Sequence, residues 1–125
     1  MARIRTIKPE FPQSESIGRR ARDARLFFIL LWTSCDDSGR TRANSRMLAS
    51  LLYPYDDDAP GLVERWIAEC EAQGCIRRYR VNGDTYIDIP KWLNHQKIDR
   101  PSASKYPPFD EGSRVVANDR EASSL

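Results

Sequence analysis

One histidine, three cysteines and a run of carboxylates are the residues of this chain whose types could perform chemistry. A structural zinc ion would need Cys35, Cys70, Cys75 and His95 together as its four ligands. Such sites are built from two closely spaced ligand pairs, and this chain lacks them. Cys70 also falls on the apolar face of an expected helix, so buried thiols and a surface histidine are the expected state, with no metal and no cofactor. Catalysis has equally little to work with. His95 has no second histidine to act with, there is no glycine loop to cradle a phosphate, and the adjacent Asp56, Asp57 and Asp58 are explained by helix capping. No catalytic residue is expected, and the chain does not read as an enzyme.

The remaining chemistry is electrostatic. Basic residues fall in four places: an N-terminal arm (Arg3, Arg5, Lys8), a central stretch (Arg40, Arg42, Arg46), a later cluster (Arg77, Arg78, Arg80), and a following stretch that includes Lys97 and Arg100. Between residues 54 and 75 the balance is reversed, because Asp56, Asp57, Asp58, Glu64, Glu69 and Glu71 stand against Arg65 alone. The net charge of +2 would also fit scattered solubilising charge. Segregation of the positive residues from the acidic segment points instead to double-stranded DNA, bound through its phosphates with little reading of sequence. An alternative is a protein-interaction or self-association module in which Glu64, Arg65, Glu69 and Glu71 meet a basic partner. A second alternative is a transcriptional regulator reading base edges, for which Arg65 and Gln73 are the candidate side chains.

These residues must be held by a small fold, since 125 residues suffice for one domain with a modest core. The longest apolar run, "LFFILLW" at 26–32, is far short of the roughly 20 residues that span a bilayer. The N-terminal "MARIRTIKPEF" has no apolar stretch of the secretory kind, so an intracellular, cytoplasmic protein with no membrane partner is expected. A buried helix is expected from Arg22 to about Cys35, with Phe27, Leu30 and Leu31 at the centre of the core. "DDSGR" breaks it, 40–42 can form a short strand, and Asn44 or Ser45 caps a second helix that Pro54 ends. A third helix follows in "YDDDAPGLVERWIAECEAQG", with Asp57 or Asp58 as cap, Pro60 in its first turn and Gly74 as its left-handed stop. Its apolar face holds Leu62, Val63, Trp66, Ile67 and Cys70.

In "CIRRYRVNGDTYIDIP", Asn82-Gly83 is a two-residue hairpin turn. It sets Tyr79 opposite Tyr86, Arg78 opposite Ile87 and Arg77 opposite Asp88, with Arg78 and Arg80 running outward toward the tip. Trp92 and Leu93 form a short apolar anchor, and Trp32, Trp66 and Trp92 read as core. Three helices, a small strand and a hairpin give an α+β, mainly α chain with the order of a winged helix-turn-helix domain over 1–100. A Pro- and Ser-containing tail over 101–125 is expected to be disordered.

"MARIRTIKPEF", "ARDARLFFILLW" followed by "DDSGR", "LLYPYDDD" and "YIDIPKWLNHQKIDRPSASKYPP" together resemble the N-terminal domain of phage replisome-organiser and replication-initiation proteins, over residues 1–108. The resemblance implies a winged-helix fold and a role in phage or prophage DNA transactions in a bacterial host cell. Replication proteins are the partners it implies.

Overall fold

The computed structural model describes residues 3–114. Five α-helices and three strands follow in chain order: α1 (Glu15–Gly18), α2 (Arg22–Ser34), β1 (Arg40–Arg42), α3 (Ser45–Leu52), α4 (Ala59–Ala72), β2 (Arg77–Val81), β3 (Asp84–Asp88) and α5 (Trp92–His95). Single 3-10 turns cover Phe11–Gln13 and Glu111–Ser113. The three strands form one antiparallel sheet in the order β1-β3-β2. The described chain is therefore α+β and mainly helical, and no helix within it is long and apolar enough to cross a membrane.

Helical spacing of Ala24, Phe27, Phe28, Leu31 and Trp32 makes one stripe of α2 fully apolar, and all five are buried. Phe28 takes the central place expected of Leu30, which is half-buried, because residues 24, 27, 28, 31 and 32 share a face that 30 lies beside. Leu26 is half exposed, so α2 is amphipathic rather than buried all round. Leu48 and Ala49 of α3, Val63, Trp66, Ile67 and Cys70 of α4, and Ile76, Ile87 and Ile89 beside or within the sheet close on this stripe. Each large side chain so buried contributes on the order of 2 kcal/mol. All three tryptophans belong to the core, whereas Leu93 points to solvent.

Local signals end the helices. Asn44 accepts from the Met47 amide at 2.9 Å and starts α3. Asp58 occupies the cap position of α4 without making a side-chain cap bond, since its φ of −87° and ψ of 0° are helix-like rather than the extended angles a capping side chain needs. Gly74, at φ +77°, lets the Cys75 amide turn back to the Cys70 carbonyl at 3.0 Å and closes α4.

Hairpin register follows from Asn82 and Gly83, whose φ values of 53° and 84° belong to a tight two-residue turn. Tyr79 faces Tyr86, Arg78 faces Ile87 and Arg77 faces Asp88. On the other side of β3, Arg40, Thr41 and Arg42 face Asp88, Ile87 and Tyr86. Alternation then places Thr41, Arg78 and Ile87 on the inner face and Arg40, Arg42, Arg77, Tyr79, Tyr86 and Asp88 on the outer one.

The outer face is covered. From residue 101 to Arg114 the chain runs back over it in place of the disordered tail expected there: the Tyr79 hydroxyl donates to the Pro107 carbonyl at 2.7 Å, Tyr79 bridges to Arg114, and Phe109 and Tyr106 lie against Tyr79 and Tyr86. The sequence signals of a linker, Pro101, Pro107 and Pro108, mark an extended strap that finds its apolar contacts on the sheet. Residues 115–125 of the expected tail lie outside the described residues.

Candidate nucleic-acid interface

The eleven basic candidates separate by the surroundings that the fold imposes on them. In the N-terminal arm, Arg5 lies with its side chain inside, donating to the Trp32 carbonyl at 3.2 Å, the Cys35 carbonyl at 2.9 Å and Asp37 at 3.4 Å. Its guanidinium also sits 5.1 Å from the Trp92 ring centre. Arg3 reaches the same Asp37 at 3.5 Å while staying half exposed. Gln96 completes the attachment by accepting from the Thr6 amide and donating to the Thr6 carbonyl. The arm is thus strapped to α2 and α5 through Arg5 and Thr6, and Lys8 remains exposed beyond them.

Asp36 and Asp37 are the organising residues that sequence reasoning passed over. Read as a helix breaker, "DDSGR" is also an acidic clamp. Asp36 accepts from the amides of Ser38 and Arg40 and from the Ser104 hydroxyl, while Asp37 accepts from the Ser102 amide at 3.0 Å. That amide hydrogen bond, helped by Arg3 and Arg5, holds the Asp37 carboxyl below the ordinary carboxylate range. The signal was present as Asp-x-Ser-Gly, the composition of a side-chain-capped turn.

The hairpin uses Arg77, Arg78 and Asp88 internally. Arg78 was expected to run outward, but it is 5% exposed and lies on the inner face, where Ile87 lies opposite it and Thr41 is on the next strand. It donates to Glu64 at 2.7 Å and Glu71 at 3.1 Å, both on α4. Two of the acidic residues of that helix are therefore the counter-charge of its own hairpin. Glu69, a third, accepts from the Ala21 amide at 3.3 Å. Arg77 makes a two-pronged bond to Asp88 at 2.7 Å on both prongs and stacks over Phe109 at 4.0 Å. Arg40 donates to the Tyr106 carbonyl at 3.4 Å.

Arg42, Arg46, Lys97 and Arg100 are exposed, and none of them forms an ion pair with the described residues. Arg42 ends β1 and Arg46 lies in the first turn of α3, so one corner of the backbone carries both. The Ala43 amide in that corner bonds to the Thr85 carbonyl, and Thr85 faces Arg80. With neighbouring strands roughly 5 Å apart, the half-buried Arg80 starts about 10 Å from this corner. Arg65 stays exposed on α4.

The metal-type residues do not gather: Cys35, Cys70 and Cys75 are free thiols, and no group of three His, Cys, Asp or Glu side chains among the described residues could hold a metal ion. Burial pushes the Cys70 thiol up to about 12 and the Cys35 thiol higher still. His95, expected on the surface, is half-buried among the rings of Phe11, Phe28 and Trp32, and desolvation lowers its pKa.

No family model matches the chain, and comparison with curated proteins and with solved structures found no match.

Proposed function

We propose that this is a winged-helix DNA-binding protein acting in phage or prophage replication, where it would bring replication proteins to the duplex. Support for the winged-helix reading comes from element order. A short strand between α2 and α3, followed by α4 and a hairpin, with the sheet ordered β1-β3-β2, is the element order expected of a helix-turn-helix with a wing. The replication role rests on the sequence resemblance.

The observation that carries DNA binding is the cationic corner of Arg42 and Arg46. These guanidiniums remain exposed after the fold has drawn Arg5, Arg77 and Arg78 into internal ion pairs. Positive charge left over at one corner is free to meet phosphates, with Lys97 and Arg100 as further exposed cations. The acidic α4 is the less favoured docking face, because Glu64, Glu69 and Glu71 already hold the hairpin and the Ala21 amide.

Titration of the chain with unrelated duplexes at several salt concentrations tests the reading. Binding should weaken steeply with salt and depend little on sequence. Arg42→Ala with Arg46→Ala should lower the salt slope by about 1 for each phosphate that is no longer neutralised, with unchanged folding. A slope indifferent to both substitutions, or no duplex binding at low salt, refutes it.

A further inference from the structure

Arg20 is the most deeply buried guanidinium of the described chain, at 2% exposure. No carboxylate among the described residues lies within ion-pair distance of it, and its Nε and Nη1 have no hydrogen-bond partner. The Phe28 ring lies 5.5 Å from it, and its Nη2 points at Cys75 Sγ. A guanidinium does not give up its proton, so a buried one needs negative charge close by. Glu69 acts on it only from a distance, and the Cys70 thiol stays protonated. Cys75 is the group in contact that can supply the charge.

Position makes that charge usable. Cys75 is half-buried at the wall of a groove of about 440 Å³, whereas Cys35 and Cys70 are sealed in the core. Lys8 and Lys91 line the same groove with Glu10 and with His95, whose pKa burial lowers. The groove is therefore positive beside a nucleophilic sulfur.

We infer that Cys75 is held as a thiolate by Arg20 and is a site of disulfide exchange with small anionic disulfides. Cys75 Sγ attacks one sulfur of the disulfide. The new S–S bond forms as the old one breaks, and the electron pair leaves on the second sulfur as a thiolate. Cys75 is oxidised, the departing half is reduced, and no proton is required from the protein.

The test incubates the reduced full chain with oxidised glutathione, and separately with the uncharged bis(hydroxyethyl) disulfide, mapping adducts by mass spectrometry. The adduct should form on Cys75, with a rate nearly flat between about pH 6 and about pH 8 and, at the lower value, on the order of tenfold above that of the urea-unfolded chain. Arg20→Gln should abolish that advantage and Arg20→Lys should retain most of it, folding being checked by circular dichroism. Should Arg20→Gln fail to fold, the pH profile of the native chain decides alone. Lys8→Ala with Lys91→Ala should slow glutathione about threefold more than the uncharged reagent. A rate that climbs tenfold per pH unit across this range, as for an ordinary thiol, or an adduct confined to Cys35 or Cys70, overturns the inference. Equal slowing of both reagents overturns the anionic preference.

Discussion

A guanidinium carried into the interior has to be matched by charge, and Arg78 is matched twice, by Glu64 and Glu71. Removing it would leave Glu71, itself only slightly exposed, without this counter-charge. Arg78→Ala should lower stability by about 3 kcal/mol in urea denaturation, well beyond what loss of a surface arginine costs. Asp37 is the second residue whose charge the fold depends on. Its folded pKa is depressed, so its contribution is complete above the unfolded value of about 4 and is lost as pH falls through the folded value. Asp37→Asn should therefore lower stability near neutrality and flatten the acid limb of the stability–pH curve. A variant whose acid limb matches that of the parent would contradict this.

At the scale of elements, two glycines with similar backbone angles have different jobs. Gly83, at φ +84°, has open space around its missing Cβ, so it serves the hairpin turn through conformation alone. Gly39, at φ +76°, would put a Cβ 2.7 Å from the Trp92 ring, and Trp92 holds α5 by donating its indole N–H to the Asp37 carbonyl at 3.0 Å. Gly83→Ala should cost about 1 kcal/mol, the strain of the left-handed region. Gly39→Ala should cost about 3 kcal/mol, because strain and overpacking add and the clash is with a ring that cannot swing away. Chemical denaturation of the two variants side by side checks the order, and equal losses would show that Trp92 yields easily.

The whole molecule is closed by its strap. Burial beneath it, ahead of the nearby charge of Asp88, raises the Tyr79 hydroxyl to about 12, against an ordinary value near 10. A raised tyrosine adds stability that is intact below about pH 10 and disappears as pH climbs through the folded value. Burial raises Tyr53 as well, so ultraviolet titration of the native chain should show two of its five tyrosines ionising late, Tyr79 adding a step of its own. A chain ended at residue 100 should lose that late step and melt at a lower temperature, whereas one ended at residue 114 should keep both. Survival of the late step without residues 101–114 would assign the burial of Tyr79 to the sheet itself.

Periodicity and punctuation in the sequence were enough to determine the three longer helices and the three strands, but not the single-turn α1 and α5. Asn82-Gly83 dictated the register of the hairpin residue by residue, Asn44 and Pro54 bounded α3, and Gly74 stopped α4, because each of these effects acts within four or five residues along the chain. The apolar stripe of α2 was legible for the same reason, though the choice of Phe28 over Leu30 depended on which elements packed against it. Charge could not be read this way. Whether an arginine meets water, a phosphate or a carboxylate depends on what lies within a few ångströms of it in space. Arg78 meets α4 from the next element, Arg5 meets a residue 32 positions away, and Arg20 meets Cys75 across 55. The strap escaped notice on similar grounds, since a proline-rich stretch without periodicity carries no sign of the surface it will cover. Tertiary structure alone decided which cations the fold consumes, and it left Arg42 and Arg46 exposed at one corner, where no acidic residue among the described ones pairs with them.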